Sequence, residues 1–263
     1  MLRIIFIPLL FLFAGCTQKT IITNADKDVI SGIRTEEILY PYEVSNMRFE
    51  IIRDTALIYS TQCSLRYYYK IINKQLLKNG HILDRVFDFQ PLLLENDILP
   101  PVVIQSERTV EKVSNQHLVV ADRTFKILKN GLFITTPVSW KNYLILDIPE
   151  PNVPDRSLLP GDNTEQEIWA KYVEMGWAAG KEQAFMLFKN NLADLSQDYL
   201  GMVSFHRLFQ QGLMTAPIIK EIESGVIQNK DLMIINQRIL AIAQQGFLEG
   251  DYRRWHSYIY FTE

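Results

Sequence analysis

Histidine, cysteine and runs of like charge are scarce in this sequence, and each scarcity argues against a class of protein. The 263 residues include four histidines and two cysteines, and no histidine has another histidine or a cysteine at metal-ligand spacing. The formal net charge is only −3, and lysine and arginine form no dense run. We therefore expect no metal site, no direct nucleic-acid interface and no polybasic membrane patch.

Recognisable catalytic motifs are also absent. The sequence contains no glycine-rich nucleotide loop, no HExxH, no CxxC and no GxSxG. Paired carboxylates occur at Glu36 with Glu37 and at Glu165 with Glu167. Such a pair resembles a glycosidase dyad in composition, but neighbouring carboxylates at a helix start usually cap the helix and face solvent. We expect a protein that is not an enzyme and binds no cofactor.

The N-terminus has the pattern of a bacterial signal peptide. Arg3 is followed by ten uninterrupted apolar residues, 4–13. This run is about half of the ~20 residues that a helix needs to span a bilayer, so we interpret it as a signal-peptide core.

Residues 12–16, Leu-Phe-Ala-Gly-Cys, resemble a lipobox. The pattern predicts cleavage between Gly15 and Cys16 and acylation of Cys16, whose acyl chains would anchor the protein stably. Phe13 departs from the pattern, in which an aliphatic residue is usual. A plain secretory signal and an uncleaved anchor are the alternatives. The residue after the cysteine is Thr17. By the sorting rule for bacterial lipoproteins, Asp at this position would retain the protein in the inner membrane. Thr17 therefore indicates the outer membrane, with the protein on its periplasmic side.

The expected organisation is a signal peptide over residues 1–15, a lipidated flexible tether over 16–39 and one periplasmic domain over 40–263. The tether is polar and turn-prone. If Cys16 carries lipid, Cys63 has no cysteine with which to pair. Cys63 lies in a helix-like stretch, which favours a buried structural thiol over a reactive one.

Two long helices are predicted. Apolar residues recur at three- and four-residue steps over residues 43–79, and Gly80 follows at a position typical of a helix end. Thr164 with Glu167 forms a capping box that predicts a second helix to about Gln211, with a possible break near Gly201.

The second helix carries two packing signals. Gly176 and Gly180 predict close backbone packing against another element. A 3,4,3,4,3 seam predicts burial against the first helix within one fold, rather than an intermolecular coiled coil. The seam consists of Phe185, Phe188, Leu192, Leu195, Tyr199 and Met202.

The other segments read as short strands and turns. Prolines exclude long helices over most of residues 81–160, and Asn130-Gly131 predicts a hairpin between residues 123–128 and 132–136. Further strands are predicted at 216–222, 232–235 and 238–242, and the part after Gly250 reads as a last strand or a mobile tail. The expected fold class is α+β, with two long amphipathic helices packed with short antiparallel strands. The proline-rich region 100–160 is the expected partner-binding surface.

Several segments together resemble the DotC family, lipoproteins of Dot/Icm-type (type IVB) secretion systems and related conjugation machines. The resemblance lies in residues 83–89, 100–102, 121–128 and 135–137, in Trp140, Gly176, Gly180, Gly201, Met202 and Gly212, and in residues 216–217 and 235–238. The resemblance implies a subunit that occurs in many copies in a ring, as part of an outer-membrane core complex. With a DotD-like lipoprotein, this subunit would bring a DotH-like component to the outer membrane. It implies no catalytic residue.

Two other functions remain open from the sequence. A cell-wall-acting enzyme or a ligand-binding lipoprotein would need a deep pocket with convergent ionisable groups. An adaptor that escorts a partner and then leaves would differ from a ring subunit in its stoichiometry within the finished complex.

Overall fold

A computed structural model describes residues 46–112, 118–223, 226–229, 232–235 and 238–256. The signal peptide, the lipobox with Cys16, and the tether lie outside the described residues. The chain divides into two compact units. The described part of unit 1 comprises residues 46–71 and 147–186, and unit 2 comprises 72–146 and the described residues from 187 onward. Each long helix contributes residues to both units.

The described elements are helices and antiparallel strands, which confirms the α+β class. In chain order they are α1 Asn46–Lys78, α2 Gly80–Val86, β1 Ile98–Leu99, β2 Val102–Lys112, β3 Leu118–Lys129, β4 Leu132–Phe133, α3 Lys141–Leu144, α4 Asn163–Gln210, β5 Ile218–Glu223, β6 Val226–Asn229, β7 Leu232–Ile235 and β8 Arg238–Gln244. Short 3-10 helices occupy Gln90–Leu92, Arg156–Leu158 and Tyr252–Arg254.

Unit 1 is built on an apolar interface between α1 and α4. Ile52 and Ala56 from α1 are fully buried with Trp169 and Val173 from α4, and Leu159 closes the cluster. These residues are spaced by three or four along their helices, so each helix presents one stripe to the other. The predicted helix over 43–79 is confirmed within its described part.

Helix α4 starts differently from the prediction. The backbone N–H of Glu165 donates to the Asp162 carboxylate at 2.7 Å, so Asp162, rather than Thr164, caps the helix. Both residues begin a pattern with glutamate three positions later, and the sequence alone does not choose between them. The helix then runs 48 residues without a break at Gly201.

Gly80 also has a different role from the one predicted. Helix α1 does end at Lys78, but Gly80 begins α2 and lacks the positive φ of a glycine C-cap. A Cβ on Gly80 would lie 3.3 Å from the Trp140 ring, so the glycine makes room for this buried indole.

The predicted hairpin after Arg123 was wrong. β3 pairs antiparallel with β2, which precedes it, whereas β4 pairs with β1. Neither Asn130 nor Gly131 has the positive φ that a two-residue hairpin turn requires. The connection therefore passes the chain from one strand pair to another.

The C-terminal strands are antiparallel, as predicted. β5 pairs with β8, and β6, which was not predicted, pairs with β7. The described part of the C-terminal tail forms no strand, but it is held to the rest of the unit by hydrogen bonds. The backbone N–H of His256 donates to the carbonyl oxygen of Gln211 at 2.7 Å. The Trp255 indole donates to the carbonyl of Glu249 at 3.0 Å.

The predicted seam along α4 is confirmed only in part. Phe185 contacts Tyr68 of α1 with ring centroids 6.3 Å apart, as expected. Tyr199 instead packs edge-on against Phe87 and Phe89, which follow α2. The seam therefore meets more than one element, which a heptad pattern does not reveal.

Candidate functional site

The two long helices touch through their backbones in unit 1. An added Cβ on Gly180 would lie 2.8 Å from the Ser64 Cβ, and one on Gly176 would lie 2.7 Å from the carbonyl oxygen of Leu57. Real Cβ atoms do not approach other atoms this closely, so only glycine fits at either position. The predicted close packing is confirmed.

Hydroxyl groups of α1 use this proximity. Ser64 donates to the carbonyl of Trp177 at 2.6 Å, and Thr61 donates to the carbonyl of Gly176 at 3.1 Å. These bonds hold α1 and α4 in one register and set the position of the Trp177 side chain.

Three consecutive tyrosines of α1 have separate roles. Tyr69 is fully buried, whereas Tyr67 and Tyr68 are half-buried and both contact Trp177, at centroid distances of 5.7 and 6.4 Å. Consecutive side chains of a helix point in different directions, so the three rings meet different surroundings. Tyr67 and Tyr68 both pack against the core cluster of unit 1, and Tyr67 also lines a surface opening.

An ion pair fixes the loop that precedes α4. Arg48 donates to both carboxylate oxygens of Glu165, at 2.8 and 2.9 Å, and to the carbonyls of Ser157 and Leu159. The Arg48 guanidinium lowers the pKa of Glu165, with a smaller contribution from the backbone N–H of Gly161. Glu165 is therefore a structural carboxylate. Glu165 does accept from the backbone N–H of Gly161 at the helix start, but the predicted exposure to solvent is wrong, because the side chain is buried and its main partner is an arginine.

A second ion pair lies further along α1. The Arg66 guanidinium pairs with Glu150 at 3.0 Å, and the Glu150 side chain is 79% exposed. The Arg66 Nε is buried and has no hydrogen-bond acceptor among the described residues. This N–H donor of Arg66 is therefore unused in the structure.

Arg66 and Glu150 lie at a pocket of about 600 Å³ in unit 1. Its wall on α1 is one helical stripe, since Tyr59, Cys63, Arg66 and Lys70 recur at steps of three or four and Tyr67 lies next to Arg66. The lining consists of Tyr59, Cys63, Arg66, Tyr67, Lys70, Glu150, Pro151, Asn152, Val153 and Trp177. The pocket joins aromatic rings to two cationic side chains, a composition typical of a binding site.

Cys63 was predicted to be a buried thiol, but it is half-buried and lines this pocket. The helix was predicted correctly, whereas the opening beside it is made by residues 150–153, which the α1 sequence does not reveal. Burial, followed by the Cys63 side chain, raises the pKa of the Tyr59 phenol, so this phenol stays protonated. The sequence did carry a signal here, since Arg66 and Lys70 share the stripe with Tyr59 and Tyr67.

Unit 2 contains a separate polar cluster around Asp198. This buried carboxylate on α4 accepts from Lys129 at 2.6 Å and from the Tyr143 hydroxyl at 2.8 Å. Phe89 stacks on the Tyr143 ring with centroids 6.3 Å apart. Burial, and then the hydrogen bond to Asp198, raises the pKa of Tyr143 above its usual range. The cluster joins β3, α3 and α4.

The histidines that the structure describes form no metal site, and no group of three or more potential metal ligands occurs among the described residues. His206 contacts the carbonyl of Leu92 at 2.8 Å. Asp84, which the sequence places three residues after His81 in α2, accepts from the Trp140 indole at 2.7 Å.

The predicted lipidation site, Gly15 with Cys16, lies outside the described residues. Over the part of the chain that the structure covers, no helix is sufficiently long and apolar to cross a membrane.

Comparison with known protein families identifies the family of this chain. A family model described as type IV secretory system, conjugal DNA-protein transfer (T4SS_TraI) matches residues 46–257, which is well over half of the chain. No curated protein matches the sequence. The chain therefore belongs to the T4SS_TraI family of type IV secretory proteins of conjugal DNA-protein transfer.

Proposed function

We propose that this protein is a non-catalytic structural subunit of the outer-membrane core complex of a type IV secretion system. In this proposal Cys16 carries the lipid, the domain lies on the periplasmic side, and copies of the chain assemble in a ring. The partners would be a DotD-like lipoprotein and a DotH-like outer-membrane component, by the resemblance to the DotC family.

The observation that carries the proposal is the family match across residues 46–257. It supports a role in type IV secretion and conjugal transfer. The lipobox over residues 12–16 supports the membrane anchor. The resemblance to DotC lipoproteins supports both features together, because members of that family are lipoproteins of secretion systems.

Exposed apolar side chains support contacts with other subunits. Val110 and Val120 face each other across β2 and β3 and are 57% and 61% exposed. Ile222 and Ile239 form a similar pair across β5 and β8. Exposed apolar clusters are typical of surfaces that become buried on assembly.

The anchor is tested by Cys16→Ser in the native host. The wild-type protein should float with outer-membrane vesicles, and its mass should equal that of a chain beginning at residue 16 with acyl chains attached. The variant should leave the membrane fraction and lower the frequency of conjugal transfer. An unmodified Cys16 in the wild type, or a leader still attached, would contradict the lipoprotein role.

A periplasmic ligand-binding lipoprotein is the second candidate, and the pocket of about 600 Å³ in unit 1 is the observation that favours it. This function requires a small molecule that co-purifies with the protein. Mass spectrometry of the denatured protein's extract tests it, and loss of that molecule on Arg66→Gln would support it.

A further inference from the structure

We propose that the pocket in unit 1 binds an extended segment of a partner protein through one acidic side chain of that segment. The inference rests on the proposed function, since it assigns a subunit contact to a specific site. It adds a location and a ligand chemistry that neither the family match nor the lipobox supplies.

The charges of the pocket favour a carboxylate. Arg66 and Lys70 are cationic, whereas Glu150 is the only acidic residue among the described residues that line the pocket. Glu150 occupies one terminal nitrogen of Arg66, and the buried Nε of Arg66 has no acceptor among the described residues. A guanidinium binds a carboxylate most strongly with two parallel hydrogen bonds. Because the Arg66 Nε is buried, the Arg66 side chain must turn when Glu150 leaves before this nitrogen can take part in binding an incoming carboxylate.

The walls favour a peptide over an inorganic anion. Tyr59, Tyr67 and Trp177 present rings beside the two cations, so an apolar side chain next to the acidic one would be buried. The Tyr59 phenol remains protonated, because burial raises its pKa, so this wall of the pocket adds no negative charge that would repel a carboxylate.

The rim favours an extended segment. Residues 145–155 belong to no helix or strand, and Pro151 with Asn152 and Val153 forms one side of the pocket. A backbone outside regular structure can hydrogen-bond to a chain that lies along it. Since the Glu150 side chain is 79% exposed, it can leave Arg66 for solvent when the ligand carboxylate arrives.

The site is tested in the full chain by photocrosslinking in host cells that carry the transfer genes. Photoreactive p-benzoylphenylalanine replaces Val153, a 68% exposed residue at the rim. We expect a crosslink to another protein, and peptide mapping should place it within a few residues of an aspartate or glutamate.

Four variants test whether the crosslink yield depends on the charges of the pocket. Arg66→Gln and Lys70→Gln should each lower the yield, Arg66→Gln by about tenfold, the effect of losing one charge-assisted hydrogen bond. Lys74→Gln, at an exposed lysine of α1 outside the pocket, should leave it unchanged. Glu150→Gln should raise the yield several-fold, because it removes the competing carboxylate. Lys70→Gln changes an exposed side chain and so serves if Arg66→Gln misfolds.

Several results would overturn the inference. These are a crosslink confined to lipid or to the protein's own residues 1–45, a mapped segment without an acidic residue, equal yields in all variants, or no crosslink at all. Purification of the tagged chain from the same cells separates this failure from failure of the proposed function, since a protein that still elutes in a large membrane complex would have lost only the pocket assignment.

Discussion

The Ser64 hydroxyl donates to the carbonyl oxygen of Trp177 at 2.6 Å, across an interface where α1 and α4 leave no space for an additional carbon atom. This contact links packing to the candidate site, because Trp177 is both the hydrogen-bond acceptor and a wall of the pocket. Changes that separate the helices should therefore affect stability and binding together.

Gly180→Ala should destabilise the protein. The new Cβ would meet the Ser64 Cβ at 2.8 Å and the backbone nitrogen of Leu65 at 3.0 Å. We expect a loss of about 2 kcal/mol, since overpacking costs about 1–3 kcal/mol and the helical gain from alanine offsets only part of it. Urea denaturation followed by circular dichroism measures the loss. Gly250→Ala is the matched control, because nothing lies within 4 Å of that position, and it should change stability by less than about 0.5 kcal/mol.

Glu165→Gln should lower stability by about 2–3 kcal/mol at neutral pH, because it leaves the Arg48 guanidinium without its charged acceptor. The Arg48 guanidinium holds the pKa of Glu165 below its ordinary value of 4.5 in the folded protein. The contribution of the wild-type carboxylate is therefore complete above about pH 4.5 and is lost as the pH falls through the lowered folded pKa.

The measurement is the urea midpoint of wild type and variant between pH 7 and pH 3. The difference between the two proteins should narrow below pH 4.5. The exposed Glu167 gives the control, since Glu167→Gln should have little effect at any pH. A constant difference between wild type and Glu165→Gln across this range would show that the ion pair does not act as described.

Tyr143→Phe should destabilise unit 2 by about 1–3 kcal/mol, because the Asp198 carboxylate is buried and loses a donor. The folded-state pKa of Tyr143 is raised, first by burial and then by Asp198. Its contribution to stability is therefore present below about pH 10, the ordinary phenol pKa, and declines as the pH rises through the higher folded value. Thermal unfolding of both proteins at pH 7 tests the loss, with the exposed Lys189→Gln as control. Equal melting temperatures for wild type and Tyr143→Phe would contradict it.

The long helices were predictable because their signals are local. Apolar residues at three- and four-residue steps identify α1 and α4 wherever the partner stripe lies. The two glycines at positions 176 and 180 likewise signal a close approach in any helical context. The choice of Asp162 over Thr164 as the cap of α4 was not predictable, because the partner of Glu165 is Arg48, more than one hundred residues earlier.

Strand pairing and the pocket depended on nonlocal contacts. The strand-like pattern of β3 is visible in the sequence, but its choice of β2 over β4 depends on where the chain returns. Cys63 fitted a buried helical position, and the segment that makes it a pocket residue lies near Glu150. A helical stripe that mixes Tyr59, Arg66 and Lys70 was the available sign, since cations on an otherwise apolar face need an acceptor or an opening.

The most direct test of the proposed assembly role is purification of the tagged full chain from detergent-extracted membranes of the native host, followed by identification of the proteins that elute with it. The account predicts a megadalton particle that contains several copies of this chain together with a DotD-like lipoprotein and a DotH-like subunit. Elution as a monomer, from cells in which the transfer machine is present and active, would contradict it.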